Sequence, residues 1–246
     1  MNNLSDVARR RLLSTLGEIS AGLVAGSSLT ALAVAETRKA KSTSAEAGES
    51  EDVGPTEDLM REHGVLNRVL LIYDHFGHRI EQKEDLDGAW VVAAAQIIRS
   101  FVEDYHERQE EQFLFPRFEK AGKLTDLVGV LKTQHRAGRR LTERILQLAH
   151  AREPESRNDL AQALRQFVRM YRPHEAREDT VLFPELHKIV SRHEFDALGE
   201  QFEKNEHKQF GTDGFDLYRD KVAGLEKQLG IYELAQFTPG PVDRRS

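Results

Sequence analysis

The sequence predicts an all-α protein, an up-down-up-down four-helix bundle followed by a C-terminal helical extension. From Pro55 onward apolar residues recur at helical spacing, and no segment alternates with period two for long enough to make a strand. Turn signals interrupt that periodicity at three points, and short connections between long helices make neighbours antiparallel. Charged residues are 31% of the chain and prolines number only 7, a mixture that favours helices.

The first helix is expected from about Thr56, its N-cap, to about Ile80, with Leu59, Leu66, Leu70 and Tyr73 on one face. The segment QKEDLDG (82–88) ends it. The second is expected from about Ala89 to Glu119, with Val91, Ala95, Ile98 and Val102 aligned, and Gly122 stops it. The third runs from about Thr125 to Ala149, and Pro154 marks the next turn. The fourth runs from about Ser156 to Val190 with a kink at Pro173, since proline lacks an N–H and crowds the preceding turn. Further helical residues reach about Phe210, so the bundle occupies 55–210. Gly211 and Gly214 introduce a tail (211–246) with one short helix near 215–229.

The N-terminus reads as an address. Arg9-Arg10-Arg11-Leu12-Leu13 precedes a weakly apolar stretch that closes on Ala33-Val34-Ala35. Residues 1–35 therefore resemble a bacterial twin-arginine export signal, which implies an exported, periplasmic protein. Glu18 interrupts the apolar stretch; a span wants about 20 mostly apolar residues, so no stable membrane span is expected after signal removal. The alternative is an amphipathic or disordered arm on a cytoplasmic protein. Residues 36–54 are small and polar and read as a flexible linker.

Composition narrows the chemistry. There is no cysteine, which excludes disulfides, thiolate zinc sites, iron–sulfur clusters and cysteine nucleophiles. A metal would have to be held by nitrogen and oxygen. The net charge is −6 and no long basic stripe is present, which argues against nucleic acid as a partner.

Four of the ten histidines share a setting: His63, His106, His135 and His174. Four residues before them stand Leu59, Val102, Leu131 and Met170. Seven after three of them stand Leu70, Phe113 and Val181, positions on the same helical face. His135 fits least well, since its seventh position is Thr142. One histidine on an apolar stripe is ordinarily a core residue with a local partner, but a single core rarely supplies four such solutions. The halfway point between His63 and His106 falls in the 82–88 turn, that between His106 and His135 beside Gly122, and that between His135 and His174 at Pro154. In an antiparallel bundle, residues equidistant from a turn lie side by side, so all four are expected in one layer. His75, His78, His150, His187, His193 and His207 are read as surface or turn residues.

Two of the four carry a glutamate one helical turn on, His106 with Glu110 and His174 with Glu178, so that both side chains can reach one ion. The context repeats, with Phe115-Pro116 and Phe183-Pro184 at the same offsets. The prolines are expected to kink or restart each helix beyond the site. Each half of the domain is then a single-histidine helix followed by a His-x-x-x-Glu helix. Two ions in a core need carboxylates for charge and for bridging. Six side chains leave positions open for solvent and a small molecule. Imidazole with carboxylate and no sulfur suits iron or manganese.

These features resemble the hemerythrin-like, or HHE cation-binding, domains over residues 56–190, including EHGVLNRVL (62–70) and the His-Glu dipeptides at 106–107 and 174–175. The resemblance implies a four-helix bundle with two iron ions in an oxo- or hydroxo-bridged centre. Its metal ligands would be His63, His106, Glu110, His135, His174 and Glu178, with both glutamates bridging. It further implies a non-haem di-iron protein that binds or reacts with O2, peroxide or nitric oxide, a di-iron oxidoreductase if it is an enzyme. An iron-binding, storage or sensing module without turnover is the alternative, and a plain bundle with structural histidines is a third reading. Arg139 stands where the oxygen carriers of the family have a fifth histidine, which speaks against simple oxygen carriage. Asp179 sits at the spacing those carriers use, so either it or Glu178 is the ligand, and the internal repeat favours Glu178. Glu107 is either an additional ligand or a solvent-facing residue.

Overall fold

The computed structural model describes residues 53–240. The export-signal reading of 1–35 and nearly all of the 36–54 linker lie outside the described residues, as does the end of the tail. Among the described residues every regular element is helical.

The first rod is the helix Pro55–Glu81. Its N-cap is Gly54, not Thr56. Pro55 takes the first helical position, where its fixed φ is preorganised and its missing N–H has no partner to lose. The second rod starts at Gly88, where the Asp87 carboxylate accepts the Ala89 N–H at 2.9 Å. It runs as α-helix over Gly88–Ile97, widens to π-helix over Ile98–His106, returns to α over Glu107–Gln109, widens again over Glu110–Leu114 and closes over Phe115–Ala121. Gly122, at φ 63°, stops it in the left-handed conformation that glycine adopts without strain. The third rod is Thr125–Leu148.

The fourth rod is α-helical over Pro154–Arg177, π over Glu178–Leu182 and α again over Phe183–Ile189. The helix continues through Pro173, contrary to the kink expected there. Pro173 and Arg169, whose carbonyl loses its partner, are both exposed, so water can take that bond. The break in regular geometry falls instead at 178–182. A second break at Val190 and Ser191 separates the fifth helix, Arg192–Phe210, from the fourth rod. A sixth helix, Gly214–Leu229, is capped by Asp213 and stopped by Gly230 at φ 71°. A short 3-10 turn follows at Leu234–Phe237. No helix of the described residues is long and apolar enough to cross a membrane.

Each rod packs against the next in sequence, and the fourth closes against the first. The fifth helix leans on the first rod, and the sixth lies against the first and second. Tyr218, Val222 and Leu225 of the sixth helix are buried in the main core, and Arg68 of the first rod pairs with its buried Glu226.

The apolar core is divided in two. The larger cluster includes Leu66, Tyr105, Ile145 and Tyr171; the smaller includes Leu59, Leu114, Leu131 and Leu182. On every rod the four singled-out histidines and two glutamates lie between residues of one cluster and residues of the other. A polar slab thus crosses the bundle at one level, held between two hydrophobic ends.

Candidate metal centre

The π turns explain how the second and fourth rods present their side chains. Glu110 and Glu178 each open one. The carbonyl of Glu110 accepts the N–H of Phe115, and that of Glu178 the N–H of Phe183, five residues on rather than four. Such a turn holds one residue more than an α turn and is frequent at functional sites. Burial shows the consequence. Phe113 and Val181, seven after their histidines and expected on the apolar face, are only half-buried, whereas Leu114 and Leu182, eight after, are fully buried. Pro116 and Pro184 then open the restarted α-helices.

All six side chains are buried, with Glu110, Glu178 and His135 at 0% exposure. They form two triplets, His63-His106-Glu110 and His135-His174-Glu178, whose nitrogen and oxygen atoms lie within 4.8 Å of one another. The rings of His63 and His106 are 4.7 Å apart, those of His135 and His174 5.0 Å. The carboxylates cross between the pairs. Glu110 Oε2 lies 3.7 Å from His106 Nε2 and 3.4 Å from His135 Nε2. Glu178 Oε2 lies 3.2 Å from His174 Nε2 and 3.4 Å from His63 Nε2. Each glutamate therefore meets a histidine from both halves.

This donor set fits metal ions. Both oxygens of Glu110, both oxygens of Glu178 and His63 Nε2 are buried without a hydrogen-bond partner. Buried polar atoms are ordinarily satisfied; other unpartnered ones occur among the described residues, Tyr73 Oη and Thr142 Oγ1 among them, but these five belong to the two triplets and gather in one layer. His135 Nε2 and His174 Nε2 face each other at 3.3 Å.

The outward ring nitrogens are all held. His63 Nδ1 is 2.7 Å from Asp179, His106 Nδ1 2.6 Å from Glu62, His135 Nδ1 2.9 Å from Glu111 and His174 Nδ1 2.9 Å from Gln134. A metal-binding imidazole ordinarily has its second nitrogen fixed in this way, which sets tautomer and orientation. The pattern has a pseudo-two-fold logic. The residue before each lone histidine (Glu62, Gln134) holds the other histidine of its own half, and the residue after each glutamate (Glu111, Asp179) holds the lone histidine of the opposite half. Phe115 and Phe183 obey the same rule, stacking on His135 and His63 at 5.5 and 5.7 Å.

Burial opposes charge throughout the layer. At His63 the bond to Asp179 and the nearby Glu178 carboxylate outweigh it and push the ring up to about 9. Burial and the nearby His63 hold His106 well below the usual range. Burial and Glu178 push Glu110 well above the carboxylate range, while at Glu178 contact with His174 and His63 overcomes burial and keeps it well below.

Several of these residues escape a reading of the sequence. Glu62 and Gln134 occupy one matching offset in the two halves, and Glu111 and Asp179 another, a signal present in the repeat but masked by the abundance of polar and charged residues. Asp179 is on the outer nitrogen of His63, and Glu178 alone faces inward. Glu107 is not solvent-facing: it is 1% exposed, accepts the Tyr171 hydroxyl at 2.7 Å and pairs with Arg139 at 2.7 Å. A Cβ at Gly138 would sit 1.9 Å from that hydroxyl, so the glycine makes room for it. Of the other six histidines five are exposed and His75 is half-buried.

An all-helical domain with a buried histidine–glutamate layer defines a cation-binding protein. Comparison with known families agrees: residues 54–186 match the hemerythrin HHE cation-binding domain, and the chain belongs to this family. The domain also matches residues 126–238, and His63 and His135 stand the same distance into the two matches, in keeping with an internal repeat. The chain is 47% identical over 237 residues, 95% of its own length and 91% of the relative's, to the uncharacterized protein Rv1995 of Mycobacterium tuberculosis (strain ATCC 25618 / H37Rv). The uncharacterized protein Mb2018 of Mycobacterium bovis is similar to the same extent. No solved structure matches.

Proposed function

We propose that this protein is a non-haem di-iron protein, built as an up-down-up-down bundle, that binds or reacts with O2, peroxide or nitric oxide. The observation that carries the reading is the crossing of the carboxylates. A single-ion site needs no glutamate that reaches histidines of both halves, whereas two adjacent ions need bridges of this kind. His63, His106, Glu110, His135, His174 and Glu178 would hold the ions, and manganese is the nearest substitute for iron. Bound iron supplies redox chemistry. The chain's own residues do the rest: the outer partners fix the rings, and Phe115 and Phe183 cover His135 and His63 and keep bulk water off the layer. Such closure admits only a small ligand, which matches the proposed class. The proposal extends to residues 1–35, which would export the chain folded and loaded.

Purified aerobically with iron supplied, the protein should hold about two iron ions per chain and show the ultraviolet–visible bands of a bridged ferric pair, altered by peroxide or nitric oxide. One ion at saturation, or none, overturns the di-iron reading. Two ions with no response to either ligand would favour storage or sensing.

The titration of His63 adds a pH dependence. Below about 9 this ring is protonated, and an ion must displace that proton. Zinc affinity, measured by chelator competition between pH 6 and 8, should rise by about tenfold per pH unit for each proton released. An affinity independent of pH over this range would contradict the assignment of His63.

A further inference from the structure

The pseudo-two-fold arrangement is broken by a change of charge at two places, and both breaks favour the same half. Before the lone histidine the first half has Glu62 and the second Gln134. His106 Nδ1 therefore faces the carboxyl group of Glu62, and His174 Nδ1 faces an amide that cannot take up a proton, at 2.6 and 2.9 Å. A ring bound to an ion through Nε2 must carry its proton on Nδ1, and a carboxylate that accepts that proton makes the ring a stronger donor than an amide does. Glu62 is 2% exposed, so water does not compete for the contact.

The second break lies one turn after each lone histidine, where the first half has Asn67 and the second Arg139. Asn67 is neutral and donates to the His63 carbonyl at 3.2 Å. Arg139 carries a full charge and meets Glu107 at 2.7 Å and Glu111 at 3.0 Å. Glu111 is the outer partner of His135, so the carboxylate that should strengthen this ring shares its charge with a guanidinium. Asp179, the corresponding partner of His63, is 2.7 Å from Nδ1 of that ring, and no Lys or Arg ion pair to it is found among the described residues.

We infer that the two ion positions are unequal, with the His63-His106 half the tighter and the first to fill, and with Glu62 and Gln134 as the residues that set the difference. The inference rests on the two-ion reading above. It makes Glu62 and Gln134 positioning residues, which act through the imidazoles and touch no ion.

The test is an anaerobic titration of the metal-free full chain with cobalt(II), followed by its visible spectrum. The wild type should fill in two steps whose dissociation constants differ by about 10–100-fold, the usual effect of an outer partner on metal affinity. Glu62→Gln is isosteric and gives both halves an amide, so it should bring the two steps together by weakening the first. Gln134→Glu should narrow the gap by tightening the second. His174→Ala should keep the tight step, and His106→Ala should lose it. Two equal steps in the wild type, an unchanged gap in Glu62→Gln, or the reverse pattern in the histidine variants overturns the inference while leaving two ions per chain intact. Binding of fewer than two cobalt ions at saturation would instead strike the two-ion reading.

Discussion

Replacing Glu178 by alanine should strip the protein of both ions, whereas replacing its neighbour Asp179 should only weaken them. The Glu178 carboxylate is fully buried and reaches His63 and His174, which belong to different halves. On the two-ion reading, its loss removes a ligand common to both positions; it leaves two buried imidazoles without the carboxylate between them. Iron content should fall from about two ions per chain to well below one. Asp179→Ala removes only the bond to His63 Nδ1 and should lower affinity by about 10–100-fold, so that the ions return at high metal concentration. Metal analysis after gel filtration, with and without excess iron, checks both. Equal loss in the two variants would mean that Asp179 ligates directly, and retention of two ions in Glu178→Ala would remove the bridging assignment.

His135→Ala offers a second large effect, seen in stability. Without a metal role, the change deletes a buried ring and costs about 1–3 kcal/mol, as many single changes do. With one, much of the loss is stability conferred by bound ions, which at a thousandfold excess over the dissociation constant amounts to about 4 kcal/mol. Denaturant unfolding with and without a chelator separates the two. The stripped wild type should fall towards the variant, and the variant should barely respond. His150→Ala, at an exposed position, should keep both ions and the full chelator response. If His135→Ala responds to chelator as the wild type does, the placement of the lone histidines in the centre fails.

The layer was legible because it depends on periodicities that short connections preserve. The turn at 82–87 contains the halfway point of His63 and His106, and the other two halfway points fall within about two residues of the turns at 122–124 and 149–153, close enough for His63, His106, His135 and His174 to be placed near one level from spacing alone. The His-x-x-x-Glu pairs and the Phe-Pro offsets revealed the repeat. Regular helical spacing could not reveal the π turns, because an extra residue at 110–114 or 178–182 alters no residue type. The reading therefore set Phe113 and Val181 on the buried face in place of Leu114 and Leu182. It placed a kink at Pro173 because the cost of a proline in a helix depends on whether the freed carbonyl meets water, and exposure of one face cannot be read from one residue. The partnership of Glu107 with Tyr171 and Arg139 needed three-dimensional proximity across three rods, which no local pattern encodes.

The π turns also bear on how this chain tolerates insertions and deletions. Losing one residue from an α-helix rotates everything beyond it by about 100° and turns its buried face outward. The two π turns that Glu110 and Glu178 open reverse that rule locally, since each already carries a surplus residue. Removing the exposed Gln112 or Thr180 would tighten the turn to regular α geometry and leave Phe115 or Phe183 and the helix beyond in their present orientation. The same removal would redirect the glutamate that opens the turn. At these two places, and at no position in an unbroken α-helix, the length of the chain can change with the hydrophobic ends intact and the polar layer between them spoiled.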